Sequence, residues 1–304
     1  MNKNGKSAFV TIVGKPNVGK SSLLNKILGQ KIAIVSNKPQ TTRTRIMGIY
    51  TLGEYQLVFI DTPGFHKPKT ELGKYMVKSI NESVNGGDIC VFVTEANEKI
   101  SKGELKLLEN LKASKLPVIL VINKIDMLKD KEELLEIILE YSSLYDFSAV
   151  VPTSAETGKG ISDLLEELKS HCIEGGHFFN DDEITDQPEK VIASEIIREK
   201  ILRLCDKEIP HGTAVVIERM KQRETNPDIL DIDATIYCEK ASHKGIIIGK
   251  GGSMLKKISS YSRQDMERFF ECKINLQTWV KVKEDWRNRA SLLSNFGYDK
   301  HNFD

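Results

Sequence analysis

The sequence predicts an α/β protein in two parts: a first domain built on a mixed, mostly parallel sheet flanked by helices, then a smaller α+β domain. Three observations carry that prediction. Residues 8–13, 89–94 and 118–122 are short, almost uninterrupted apolar runs, the pattern of parallel strands covered on both faces. Helical patterns over residues 102–111 and 131–144 separate or follow them. The periodicity then breaks at Gly175-Gly176-His177-Phe178-Phe179-Asn180-Asp181-Asp182. Beyond that break the chain reads as a helix, two strands, a glycine-rich loop, helices and a last strand. The 304 residues leave room for two ordinary domains, which run to about 100–200 residues each.

Composition excludes several classes. With 40% hydrophobic and 29% charged residues the chain has ordinary soluble-globular composition. Its net charge of +1 gives no global argument for nucleic acid or membrane, so any such case has to be local. The five cysteines (Cys90, Cys172, Cys205, Cys238, Cys272) are odd in number, scattered and without a C-x-x-C pair, which argues for free thiols in a reducing compartment. No uncharged apolar run approaches the roughly 18 residues of a membrane span, and the polar start lacks the core of a signal peptide. A cytoplasmic protein is expected, with peripheral contact at the inner face of the cell membrane as the one membrane role left open.

Taken in order, the strand at 8–13 ends in Gly14-x-x-x-x-Gly19-Lys20-Ser21, the spacing of a phosphate-binding loop. Glycines let backbone N–H groups turn toward a polyphosphate, and the helix that follows adds the positive end of its dipole. Lys20 is expected on the β/γ-phosphate oxygens and the Ser21 hydroxyl on Mg²⁺. A helix over 22–28 is stopped by Gly29, and Lys38-Pro39-Gln40-Thr41-Thr42-Arg43 reads as a loop. Residues 45–51 and 55–60 read as a hairpin around Leu52-Gly53-Glu54. Its second strand ends in Asp61-Thr62-Pro63-Gly64, where Asp61 is placed for Mg²⁺ and the Gly64 N–H for a γ-phosphate.

After the run at 118–122 stands Asn123-Lys124-Ile125-Asp126, and its chemistry picks the base. Guanine offers two parallel donors, N1–H and the exocyclic amine, to one carboxylate, Asp126. Adenine would leave that carboxylate unpaired, and sites of this kind reject the wrong ligand by roughly 10⁴–10⁵. Lys124 is expected to lay its methylene stem along the base. Asn123 braces the neighbouring loops, and Thr153-Ser154-Ala155, after a strand at 149–151, offers a backbone N–H to the guanine oxygen. The nucleotide pocket thus comprises Gly14, Lys15, Pro16, Asn17, Val18, Gly19, Lys20, Ser21, Ser22, Thr42, Asp61, Gly64, Asn123, Lys124, Asp126, Ser154 and Ala155.

Residues 8–170 resemble a Ras-like GTPase domain, and Gly14-Lys15-Pro16-Asn17-Val18-Gly19-Lys20-Ser21, Pro39-Gln40-Thr41-Thr42-Arg43 and Asp61-Thr62-Pro63-Gly64 resemble those of the Era family of bacterial GTPases. The resemblance implies that Thr42 is the switch threonine closing on Mg²⁺ and the γ-phosphate, with Thr41 as second candidate. Lys20, Thr42 and Gly64 would then be the catalytic groups, and Ser21, Thr42 and Asp61 the metal ligands. Asn17 resembles the asparagine by which some relatives bind an activating K⁺. One position departs from the Ras pattern: Phe65 stands where Ras-type enzymes carry the glutamine that orients water. Phenylalanine neither donates nor accepts, so slow intrinsic hydrolysis is expected.

The second part opens with a helical pattern from Pro188, carrying Ile192, Ile196, Ile201 and Leu204 on one face. Strands are expected at 213–220 and 229–238. Then comes Ile248-Gly249-Lys250-Gly251-Gly252, whose Gly-x-x-Gly resembles the loop by which KH domains clamp about four single-stranded nucleotides. From Lys240 to Arg289 the sequence has twelve Lys/Arg against five Asp/Glu, so the positive charge is local to this loop's surroundings. Ile248, Gly249, Lys250, Gly251, Gly252, Lys256 and Lys257 are the expected RNA contacts. A last strand at 274–282 turns Ile274, Leu276, Val280 and Val282 to the core.

The element order resembles a type II KH module, so the expected organisation is a GTPase domain at 1–174, a linker at 175–190, a KH domain at 191–284 and a tail at 285–304. The resemblance implies a monomeric, GTP-binding and slowly hydrolysing switch that holds the single-stranded 3′ region of small-subunit (16S) ribosomal RNA and assists maturation of the small ribosomal subunit. An RNA-modification factor driven by a GTPase is the alternative. Against it, the second domain offers no Cys/His nucleophile pair, metal cluster or cofactor fingerprint.

Overall fold

The structure, a computed structural model, describes residues 5–298 except 37, 39, 66, 67, 69 and 207. Pro39 of the loop motif and residues 299–304 of the expected tail therefore lie outside the described residues. Contacts divide the chain into two compact units. The first comprises Met1–Ala33, Thr42–Pro68 and Met76–Asp186; the second comprises Ile34–Thr41, Lys69–Tyr75 and Gln187–Asp304.

In chain order the elements up to residue 174 are β1 (Lys6–Val13), α1 (Lys20–Leu28), β2 (Ile46–Leu52), β3 (Tyr55–Asp61), α2 (Glu71–Asn85), β4 (Ile89–Glu95), α3 (Lys102–Ser114), β5 (Val118–Asn123), α4 (Lys131–Leu144), β6 (Ala149–Pro152), α5 (Ile161–Ser170) and β7 (Ile173–Glu174). The strands form one sheet in the order β2-β3-β1-β4-β5-β6. β3, β1, β4, β5 and β6 run parallel, β2 pairs antiparallel with β3, and β7 pairs antiparallel with β1. The sheet is therefore mixed and mostly parallel. Every residue of β4 and β5 is buried, which is why their sequences read as unbroken apolar runs rather than alternating ones. On one face Phe92, Leu120 and Ile122 pack with Leu107, Leu108 and Leu111 of α3 and Tyr141 of α4.

Local signals set the helix ends. Ser101 and Glu104 close a reciprocal capping box at the start of α3, and the Asp130 side chain accepts from Glu133 N–H at the start of α4. Register then places the chemistry. Ile12 of β1 stands opposite Asp61 of β3, and Glu95 of β4 opposite Asn123 of β5. The motifs thus gather outside the carboxyl ends of parallel strands, where sheets of this class bind ligands.

Residues 175–186 pack onto the first unit. The Ser7 hydroxyl donates to the Gly176 carbonyl (2.9 Å), and Phe178 lies on Phe9 with ring centres 4.8 Å apart. The buried His177 ring has Nδ1 2.6 Å from Asp181 and Nε2 3.0 Å from the Glu54 carbonyl.

The second unit contains α6 (Glu189–Leu204), β8 (Thr213–Arg223), β9 (Asn226–Cys238), α7 (Ala241–Ile248), α8 (Ser253–Phe270), β10 (Lys273–Val282) and α9 (Ala290–Asn295). Its sheet runs β10-β9-β8, with β9 antiparallel to β8 and parallel to β10. Ile196, Ile197 and Ile201 of α6 pack with Ile232, Ala234 and Ile236 of β9 and Ile258 of α8. The glycine loop lies between α7 and α8, with one helix on each side rather than ahead of both.

Two further segments complete this unit. Trp286 is fully buried; its Nε1–H donates to the Gly212 carbonyl (2.9 Å), and its ring meets Phe296 and Tyr298. Val35, Gln40 and Thr41 bond to α6: Val35 N–H donates to Glu199 (3.1 Å), while Arg203 donates to the Val35 carbonyl and Arg198 to the carbonyls of Gln40 and Thr41. Among the described residues, no helix is long and apolar enough to cross a membrane.

Candidate nucleotide site and nucleic-acid loop

The loop between β1 and α1 curls tightly because its glycines permit it. Gly19 has φ +99°, and a Cβ there would stand 2.2 Å from Asn123 Nδ2. A side chain at Gly64 would likewise run into Pro16, at 2.7–2.8 Å, so the turn after β3 closes against the phosphate loop. Lys20 is buried, and its ammonium donates to the carbonyls of Gly14 (3.1 Å) and Lys15 (3.0 Å), inside the loop it is expected to serve. Burial brings the Lys20 ammonium down to about 8, with the Asp61 carboxylate pulling the other way.

Ser21, Thr42 and Asp61 converge. The Ser21 hydroxyl donates to Asp61 Oδ2 (2.6 Å), the hydroxyls of Ser21 and Thr42 are 3.0 Å apart, and Thr42 Oγ1 is 3.5 Å from the same Oδ2. Asp61 is wholly buried, and its Oδ1 has no hydrogen-bond partner among the described residues. A buried carboxylate oxygen with nothing to accept from, beside two hydroxyl oxygens, is the donor set a hard divalent cation takes. The three residues therefore fit Mg²⁺. Burial pushes the Asp61 carboxyl up to about 6, against the Lys20 charge and the hydrogen bonds from Ser21 and Thr42. The Thr41 hydroxyl points elsewhere, donating to the Lys38 carbonyl (2.6 Å).

On the base side, Asn123 is buried and joins three segments. Its amide donates to the Val18 carbonyl (2.8 Å), and its Oδ1 accepts from the Ala155 N–H (3.0 Å) and the Thr153 hydroxyl (3.3 Å). The N–H of Ser154 donates to the Lys159 carbonyl (2.9 Å). Of the two residues expected to face the guanine oxygen, Ser154 thus spends its amide internally, and Ala155 shares its amide with Asn123. Asp126 sits exposed in the short turn Ile125–Met127, open to a ligand's edge. Lys124 precedes it with a left-handed backbone (φ +65°) and carries its ammonium to Glu95, 2.5 Å away. Sequence reasoning missed Glu95; nothing local marks an acid at a strand end as a partner of a lysine 29 residues on.

Phe65 donates its backbone N–H to the Gly14 carbonyl (3.1 Å), and its side chain packs against the sheet core with Ile100 and Ile125. Asn17, in the phosphate loop, has φ +70°.

In the second unit Gly249, Gly251 and Gly252 all have positive φ, and a Cβ on Gly249 would meet Met254 at 2.8 Å. The loop opens into the N-terminus of α8, where backbone N–H groups and the helix dipole favour phosphate. Lys250, Lys256 and Lys257 are exposed around it, and the Lys257 ammonium lies 5.8 Å from the Tyr261 ring centre. Exposed Ile246 borders the loop on α7; Trp279 of β10 is also exposed, on the sheet face away from the core.

Comparison with known proteins agrees with both halves. The chain matches the family described as 50S ribosome-binding GTPase over residues 9–124 and the KH domain family over residues 208–287. It is 53% identical over 293 residues to GTPase Era of Ruminiclostridium cellulolyticum, covering 96% of this chain and 97% of that protein. It is 51% identical over 294 residues to GTPase Era of Clostridioides difficile, covering 97% and 99%. A crystallised variant of Aquifex aeolicus Era bound to GDP·AlF4⁻ superposes with a TM-score of 0.94 at 38% identity, covering 96% of this chain and 99% of that one. An Era structure in complex with MgGDPNP and nucleotides 1506–1542 of 16S ribosomal RNA also gives 0.94 at 38% identity, covering 97% and 99%. With a GTPase-family match followed by a KH-family match, and about half of its residues identical to those of Era proteins over nearly their full length, the chain belongs to the Era family of GTPases.

Proposed function

We propose that this protein is a GTP-operated switch that grips the 3′ end of small-subunit ribosomal RNA and assists maturation of the small ribosomal subunit. The observation that carries the nucleotide half is the convergence of Lys20, Ser21, Thr42 and Asp61 at the ends of β1 and β3, with one Asp61 oxygen unpartnered. The RNA half rests on the exposed lysines around a glycine loop at the head of α8, and on the relative crystallised with nucleotides 1506–1542 of 16S ribosomal RNA.

Lys20 would leave the loop carbonyls for the phosphate oxygens when a nucleotide enters, and Asp126 would accept from the guanine edge. Ser21, Thr42 and Asp61 would hold Mg²⁺, which when bound would supply neutralisation of the phosphate charge during transfer. Gly64, which lies against Pro16 of the phosphate loop, would sense the γ-phosphate through its N–H. With the Phe65 side chain committed to the core, no side chain at that position orients water, so intrinsic hydrolysis is slow and the GTP state is long-lived.

The test is the affinity for a fragment carrying the 3′ end of 16S ribosomal RNA, measured with GDP and with a non-hydrolysable GTP analogue. A switch requires unequal values, because a ligand shifts an equilibrium only by its differential affinity for the two states. Tighter binding with the analogue is expected, lost on Gly251→Asp. Equal affinities in the two nucleotide states would remove the switch.

A further inference from the structure

Lys124 has the base-stacking role by the Asn-Lys-x-Asp pattern, but four methylenes and an ammonium do not hold themselves against a pocket wall. A lysine stem loses considerable rotamer freedom on being fixed, and its charge seeks water. Here it is fixed from both ends. The backbone is locked left-handed (φ +65°), with the Lys124 carbonyl accepting from Met127 N–H (3.0 Å). The ammonium is held 2.5 Å from Oε2 of Glu95, whose side chain is only 10% exposed.

Glu95 is itself placed by the sheet. It is the last residue of β4, in register with Asn123, the residue before Lys124. The next residue binds that pair again, since Ala96 N–H donates to the Asn123 carbonyl (2.9 Å). Three residues on, Glu98 receives the ammonium of Lys15 from the phosphate loop at 2.5 Å, and Lys15 also lies 3.7 Å from the buried Glu104. The Lys15 hydrogen bond chiefly holds Glu98 below the usual carboxylate range, and Lys124 adds a smaller pull of the same sign. The end of β4 and the turn after it therefore present two acids, Glu95 to the lysine of the base loop and Glu98 to a lysine of the phosphate loop.

We infer that Glu95 is a positioning residue for guanine-nucleotide binding, anchoring the Lys124 ammonium so that the lysine stem stands pre-extended as the platform for the base. The inference rests on the guanine reading of the Asn123–Asp126 turn. An anchored stem has already lost the freedom that binding would otherwise take from it, and preorganisation of this kind appears as affinity for every nucleotide carrying the same base. Glu95 touches Lys124 and not the reacting phosphates.

A double-mutant cycle on the full-length protein tests this, with GDP and a non-hydrolysable GTP analogue as probes and titration calorimetry as the readout. Glu95→Gln keeps shape and removes charge; it should weaken both probes alike by about 2- to 10-fold, the worth of one immobilised rotamer-rich side chain. Glu95→Asp, which keeps the charge and withdraws it by one methylene, should fall between Gln and wild type, and carries the same cycle if the Gln protein does not fold. In the Lys124→Met background the Glu95 substitution should cost nothing further, because the group it positions is gone. A full, additive loss in that background, or no loss in the single variant, would overturn the inference. If Lys124→Met alone left GDP affinity unchanged, the guanine reading itself would fail, and that result is distinct from either.

Discussion

Asp61→Asn should gain stability relative to wild type as pH rises and make a worse Mg²⁺ site, with a pH dependence that identifies the cause. The wholly buried Asp61 carboxyl is pushed up from its ordinary 3.8 to about 6. At about 1.36 kcal/mol per pKa unit, a rise of that size costs the folded state about 3 kcal/mol once the group is ionised. Because the folded value lies above the unfolded one, the unfolded chain gives up this proton first, near pH 4, while the folded protein keeps it to about pH 6. Stability from this group is intact below pH 4 and is lost as pH rises through that window. At pH 5 roughly half of the penalty is in place and at pH 7.5 all of it, a difference of about 1.4 kcal/mol. Asparagine cannot ionise, so it escapes this penalty. Its own buried amide costs about 1–3 kcal/mol where unpartnered, but that offset does not vary with pH. The assay is thermal unfolding of wild type and variant, both stripped of nucleotide and chelated, at pH 5 and pH 7.5. The variant should gain on wild type between the two pH values by about 3–6 °C, taking roughly 2–4 °C per kcal/mol for a domain of this size. Adding Mg²⁺ with GDP should raise the wild type more than the variant. A gap that does not change with pH would show that Asp61 is not a strained carboxylate, and the cation site built on its unpartnered oxygen would lose its best support.

Three further outcomes follow from the same geometry. Asp126→Asn exchanges an acceptor pair for one donor and one acceptor; GDP affinity should drop about 10²–10⁴-fold, from two charge-assisted hydrogen bonds of about 1.5–3 kcal/mol each, and xanthosine diphosphate should bind better than GDP in competition. Turnover in KCl should exceed that in NaCl if Asn17 helps hold a monovalent cation, and Asn17→Ala should remove the difference; equal rates for the wild type end that assignment. Trp286→Ala opens a cavity beneath Phe296 and Tyr298 and frees the Gly212 carbonyl. It should cost about 3–5 kcal/mol, read by denaturant unfolding of the second unit, and a loss under 1 kcal/mol would mean that residues 285–298 contribute little to that unit.

The motifs were legible because each solves a short-range problem with few solutions. A backbone wrapped on phosphate needs glycine at Gly19, a carboxylate for guanine must sit two residues past Lys124, and a loop that lies against Met254 needs Gly249. The strands β4 and β5 were equally plain, since burial on both faces makes residues 89–93 and 118–122 continuously apolar and leaves polar residues only at the strand ends. α2 went unread although Leu72, Met76, Ile80 and Val84, four residues apart, are all buried. Its polar residues Lys74, Lys78, Asn81 and Glu82 diluted that stripe in a sequence dominated by the Asp61–Gly64 turn.

What stayed hidden has a different physical origin. Periodicity assigns charge to solvent, yet α6 buries Arg198, Glu199 and Lys200. Each is matched by a group distant in sequence: the carbonyls of Gln40 and Thr41 for Arg198, the Val35 N–H for Glu199 and the Asp265 carboxylate for Lys200. The buried Glu95 is another case, matched by Lys124 from the next strand's end, and the partly exposed pair of Lys15 and Glu98 is likewise distant in sequence. A charge can be buried only where its partner arrives with it, since breaking such a pair leaves an uncompensated ion. Partners set by sheet register and helix docking leave no mark at either position alone. The motifs state which ligand the pocket takes, and these pairs set how firmly each motif is held, so substitutions at the pairs should alter affinity while those at Asp126 alter specificity.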